Sequence, residues 1–262
     1  MNLVPVYDAF YLFMLSSARI AAVFTIMPFL SKQTMGSAMI RNGVVASLAL
    51  FMYPAVSADY ASSSLTTLDT VVTLIKEVLL GLSIGYVLTV PFWAIESVGF
   101  FIDNQRGATM ASSLNPLSGS QTSPLGILLT QGLVALFFIS GAFLVALSAL
   151  YHSYLLWPIF EFYPTFSSQT PEIMLGQLDT LMRYTLLLGG PVVIAMFLSE
   201  FGLALVSRFA PQLNVFILSM PIKSAVAIAV LVVYIPIIFH FFGEILADPT
   251  TLISPLHRIF SG

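Results

Sequence analysis

The sequence of 262 residues is 58% hydrophobic and only 8% charged, with a mean hydropathy of +0.97. Soluble domains carry about a quarter of their residues as charges, so these values exclude a soluble globular chain and indicate a membrane protein or an assembly built like one. A net charge of -3 argues against nucleic acid as a partner, and the absence of cysteine removes disulfides, Cys-ligated metals and thiol nucleophiles.

The N-terminus, MNLVPVYDAF, has no basic region, and its apolar run continues to Leu30 without a small-residue cleavage site. It therefore reads as a first structural helix and not as a removed signal. A spanning helix needs about 20 mostly apolar residues. Candidate stretches are 9–30, 43–56, 71–95, 125–157, 184–206 and 214–242. The second is short, the fourth is long, and the last is interrupted by Pro221 and Lys223. The expected fold is all-α and membrane-associated, with about six long, partly broken hydrophobic helices and no room for a soluble domain.

The connecting stretches sort by charge. Lys32, Arg41, Arg106, Arg208 and Lys223 belong to the first, third and fifth connections. Asp59, Asp69, Glu161, Glu172 and Asp179 lie in the second and fourth, with Arg183 at the edge. The positive-inside rule then puts the odd connections in the cytoplasm and both termini outside.

Within the apolar stretches, Arg19 sits near a centre, Lys76 and Glu77 fall in the first turns of another, and Pro28, Pro54, Pro91, Pro191 and Pro236 recur. Ionisable groups at membrane depth face protein or water, and broken helices need neighbours to satisfy freed carbonyls. Arg19 is thus expected to be a charge buried in protein. Lys76 fits either burial or snorkelling from a segment end. Gly81, Ser83 and Gly85 permit close helix contact. The pattern is that of one component of a tightly packed assembly.

Enzymatic signatures are missing. His152, His240 and His257 are scattered, without metal-ligand spacing. No phosphate-binding loop, nucleophile elbow or dinucleotide fingerprint occurs. No enzyme, cofactor or metal is expected.

The stretch ESVGFFIDNQRGATMASSLNPLSGSQTSPLG, residues 96–126, concentrates charge and then abandons it. On a helix Glu96, Gly99, Asp103, Arg106 and Met110 form one stripe, and Asp103 with Arg106 is a self-compensating i,i+3 pair. Val98, Phe101 and Ile102 lie opposite. The helix is expected to end near Ser112. The tract through Met110, Ser112, Ser113, Leu114, Asn115, Pro116, Leu117, Ser118, Gly119 and Ser120 cannot continue it, because proline, glycine and small polar residues favour turns. An exposed connector and a loop lining a water-filled passage both fit this uncharged composition.

The stretch EFGLALVSRFAPQLNVFILSMPIKS, residues 200–224, is the second informative one. Glu200 and Ser207 share a helix face and Arg208 lies beside it. Pro211 breaks that helix, Gln212 follows in the turn, and Asn214 can cap the next helix. Pro221 and Lys223 then interrupt the run. A helical hairpin with a polar tip and a plain turn between two spans remain alternatives.

These two stretches resemble the signature regions of the SctT/FliR family, export-apparatus membrane proteins of type III secretion systems. The likeness runs through residues 9–242, and the wording IDNQRG and MPIKS is similar to the virulence-injectisome branch (YscT or SpaR type). The resemblance implies a single export-apparatus domain, residues 1–262. Its four-segment SctR-like part would be 1–183, with a plug loop at 110–122, and an SctS-like hairpin and tail would be 184–262.

It also implies packing with SctR-type and SctS-type subunits around a channel for unfolded secreted proteins. Glu96, Asp103 and Arg106 would anchor the plug loop. The hairpin tip, with Glu200, Arg208, Pro211, Gln212, Asn214 and Lys223, would face the cytoplasmic entrance near an SctU-type switch protein. The implied setting is the bacterial inner membrane, in contact with lipid, with much of the assembly raised to the periplasmic side. A secondary transporter or channel for small solutes, and a purely structural subunit without gating, are the competing readings.

Overall fold

The computed structural model describes residues 4–30, 37–60, 67–108, 123–161, 170–210 and 215–260. Among them are eight α-helices, one short 3-10 turn at Pro28–Leu30, and no strand. The helices are α1 (Val4–Ile26), α2 (Ala38–Tyr60), α3 (Thr67–Gln105), α4 (Pro124–Ile139), α5 (Ala142–Leu156), α6 (Thr170–Phe209), α7 (Val215–Ala247) and α8 (Pro249–Phe260). The all-α fold is as expected. Among the described residues five helices are long and apolar enough to cross a membrane, or six spans if the pair α4 and α5 counts as one.

Helix boundaries differ from the sequence reading in instructive ways. The long fourth stretch is two helices, separated at Ser140 and Gly141. Gly141 has φ 78, a left-handed conformation that ends regular α-helix and that glycine adopts without strain. The fifth begins fourteen residues earlier than its apolar core, so Glu172, Asp179 and Arg183 are helical. Glu172 lies in the first turn, where the helix dipole favours an acid.

Prolines interrupt less than expected. Pro54, Pro91, Pro191, Pro221 and Pro236 all lie inside helices. The run from Val215 to Ala247 therefore continues through Pro221 and Lys223. At 39 and 40 residues, α3 and α6 extend about 58–60 Å, roughly twice the thickness of a bilayer's hydrocarbon core. Apolar length alone does not make all of either helix lipid-embedded.

The chain divides into two compact units. One draws on Met1–Thr89, Gly141–Gly176 and Asp248–Gly262. In it α1 packs along α2, and α8 buries Leu256 and Ile259 and packs on α5. A Cβ at Gly81 would strike the Arg19 carbonyl and Ala22, and one at Gly85 would lie 3.1 Å from Val23 Cα. These two glycines, one turn apart, let α3 approach the backbone of α1. Ser83 instead bonds its own helix, at the Leu79 carbonyl.

The other unit comprises Val90–Ser140 and Gln177–Ala247. Its core includes Ile95, Val98, Ile102, Leu129, Leu133 and Phe137, all at most 2% exposed. Phe92 meets Phe137 edge to face at 5.2 Å. α4 packs on α7, where the Phe239 ring occupies the space above Gly132. Along α6 and α7, Leu186, Phe197, Val232 and Val233 are more than 60% exposed. A surface this apolar is one that lipid or other subunits cover.

Candidate functional site: a clasp at the base of the 109–122 loop

The site is built where α3 ends and α4 begins. α3 stops at Gln105 and not near Ser112, because the chain turns at Arg106 and Gly107, with Gly107 at φ 78. The Arg106 amide still reaches the Ile102 carbonyl (3.0 Å), and the Gly107 amide reaches Asn104 (3.2 Å). The chain resumes at Ser123, which caps α4. Its side chain accepts a bond from the Gly126 amide at 2.9 Å, and Pro124 follows at the first helical position. A serine cap followed by proline is a strong helix start, since the serine fills an orphan N–H and proline has none to lose.

Two glycines bring these ends together. A Cβ on Gly99 would collide with the backbone of Leu125 and Gly126, and one on Gly126 would lie 3.1 Å from the Glu96 carbonyl. The start of α4 therefore lies directly against α3, one turn before Asp103.

Asp103 is fully buried and uses both carboxylate oxygens. Oδ1 accepts from Arg106 Nε and Nη2, each at 2.7 Å. Oδ2 accepts from the Ser123 hydroxyl at 2.6 Å and the Leu125 amide at 3.0 Å. The carboxylate thus sits on the positive end of α4 while Arg106 supplies the counter-charge. Arg106 Nη1 also donates to Ser224 Oγ on α7, at 3.4 Å. One carboxylate holds both margins of the loop.

The other sequence-selected residues are placed as follows. Glu96 is half-buried, and none of the hydrogen bonds or ion pairs found among the described residues involves its side chain. Met110 through Ser120 lie outside the described residues, as do Pro211, Gln212 and Asn214. Arg208 is exposed in the last turn of α6, where a cation suits the dipole. Glu200 and Lys223 lie about two turns inside α6 and α7 and form an ion pair at 2.5 Å. With Gln105, Val193, Ile194, Met196 and Phe197 they line an open cleft of about 270 Å³.

Arg19 belongs to a separate centre in the first unit. It is fully buried and grips Glu77 with Nε and Nη2, at 2.8 and 3.0 Å. Nη1 donates to Ser153, Nη2 donates to the Trp157 carbonyl, and the guanidinium lies 4.1 Å from the Tyr154 ring centroid. Beside it Lys76 donates to the carbonyls of Pro158, Ile159 and Glu161 at 2.6–3.2 Å. Lys76 is therefore buried and does not snorkel. Two cations and one carboxylate are balanced by the carbonyls just past α5, the negative end of that helix.

Sequence reasoning missed Ser123, Leu125 and Ser224 as partners of the Asp103–Arg106 pair. The Ser-Pro dipeptide at 123–124 is the one signal that marked a helix start there. Among the described residues no group of three or more His, Asp or Glu side chains could hold a metal ion.

Comparison with known proteins extends these observations. Residues 10–248 match the family described as bacterial export proteins, family 1. The chain belongs to this family. It is the SctT/FliR family of type III export proteins, whose members are export-apparatus components. The chain is 51% identical over 242 residues to the Yop proteins translocation protein T of Yersinia pestis, covering 91% of this chain and 92% of that one. It is 34% identical to the secretion system apparatus protein SsaT of Salmonella typhimurium, over 82% and 83% of the two chains. The flagellar biosynthetic protein FliR of Bacillus subtilis is 27% identical over 89% and 90%. The apolar helices and the family together make this SctT/FliR-type chain a membrane component of a type III export apparatus.

Proposed function

We propose that this chain is a core subunit of the export gate, packing with SctR-type and SctS-type subunits to form and plug the channel for unfolded secreted proteins. Residues 1–183 serve as the SctR-like part and 184–262 as the SctS-like hairpin and tail. Residues 110–122 are the plug. The hairpin end, 208–214, lies at the cytoplasmic entrance beside an SctU-type switch protein. The assembly sits in the bacterial inner membrane, with much of it raised to the periplasmic side. Identity of 51% to a Yop translocation protein, against 27% to a flagellar protein, favours the injectisome branch.

One observation carries the reading: Asp103 binds Arg106 at the start of the loop and Ser123 at its end. A loop rooted at one buried point can fill a narrow passage without straying, and its uncharged residues present no fixed charge to trap a passing polypeptide. Removing 112–119 tests this. The expected result is an assembled complex that leaks ions across the inner membrane in the absence of substrate. Unchanged conductance of the assembled complex would overturn the plug.

A further inference from the structure

The plug reading leaves the Glu200–Lys223 pair without a task, yet its geometry ties it to the clasp. Lys223 and Ser224 are consecutive on α7. Lys223 pairs with Glu200 of α6, while Ser224 accepts from Arg106, whose other nitrogens hold Asp103. Met220, one turn before Ser224 and on the same face, lies against the Gly107 turn, 3.8 Å from where a Cβ there would stand. Gln105, the residue before Arg106, lines the cleft that Glu200 and Lys223 close. The α6–α7 pair and the root of the loop are therefore neighbours through two adjacent α7 residues.

We infer that Glu200, Lys223 and Ser224 are positioning residues that couple the α6–α7 hairpin to the Asp103–Arg106 clasp. A helix moves as a rigid rod over one turn. A slide or rotation of α7 that separates Lys223 from Glu200 carries Ser224 and Met220 with it. A shift of about 1.5 Å, one residue's rise, takes a 3.4 Å hydrogen bond beyond its range. Arg106 then loses its outer support and Asp103 its fixed counter-charge. A partner that pushes on the hairpin thereby reaches the root of the loop without touching it.

This inference rests on the plug reading, and the test separates the two. Inner-membrane ion conductance is measured with the full export complex assembled, for deletion 112–119, E200K, K223E, the double swap E200K/K223E, and S224A. The deletion, both single swaps and S224A are expected to leak, S224A least, and the double swap to return conductance at least tenfold toward the parent. If the deletion leaks but the single swaps stay tight, or the double swap leaks as the singles do, the coupling is overturned and the plug stands. If the deletion itself stays tight, the plug reading falls.

Should the reversed charges prevent assembly, E200Q with amide exchange at Leu125 in the purified complex gives the same decision. Exchange at least tenfold faster than in the parent supports the coupling, and unchanged exchange overturns it.

Discussion

The centres around Arg19 and Asp103 use the same chemistry to different ends. Each places an arginine on a carboxylate in a low-dielectric interior, with a hydroxyl and backbone groups completing the shell. At Arg19 both partners are wholly buried, the guanidinium is bidentate, and a second cation ties three carbonyls. Nothing is left to move. At Asp103 the acid is buried but Arg106 keeps 14% of its side chain exposed, and its outermost bond is the long one to Ser224. The first arrangement locks helices. The second joins a loop to a helix through an adjustable link.

Breaking the Arg19 centre should therefore cost the most. E77A leaves Arg19 charged, buried and unpaired, a loss of about 3–5 kcal/mol, expected as failure of the protein to accumulate in the membrane. Because a buried pair can be replaced by apolar groups of similar volume, R19M/E77L should recover much of that loss by the same immunoblot measurement. Recovery would mark the centre as structural.

D103A comes next. It orphans Arg106, the Ser123 hydroxyl and the Leu125 amide, and solvent at Arg106 moderates the loss to about 2–3 kcal/mol. The expected phenotype is an assembled but leaky complex, with faster amide exchange at Leu125. An Asp103 variant that vanished as E77A does would erase the contrast between the centres.

The smallest effect is at Asp248, ahead of α8, outside the candidate spans. Its Oδ1 accepts from the Thr250 amide (2.9 Å) and hydroxyl (2.7 Å), and these bonds hold its carboxyl below the usual aspartate range. A depressed pKa means the stabilisation is present above the ordinary aspartate pKa and is lost as pH falls through the lowered one. The Thr250 amide should exchange faster in that acidic window, and D248N should abolish the pH dependence.

Legibility in sequence followed locality. A charge in mid-segment has few options at membrane depth, so the expectation for Arg19 needed only its position. Asp103 and Arg106 were readable as an i,i+3 pair. Their ties to Ser123, Leu125 and Ser224 span 20, 22 and 118 residues, and no periodicity carries such contacts. The same limit explains the misreading of Pro221 and Lys223 as a break. Lys223 is tolerated in α7 because Glu200 waits on α6, a fact of tertiary structure. The early start of α6 was hidden because hydropathy ends where Glu172, Asp179 and Arg183 begin, though acid at a helix start favours the helix.

We propose that this chain works as a subunit of the export gate and not alone. Co-expression with SctR-type and SctS-type subunits, followed by purification through a tag on this chain, tests it most directly. The expected result is one detergent-stable complex holding all three proteins in fixed proportion. A chain that purifies alone and, reconstituted into vesicles, conducts small solutes by itself would contradict it.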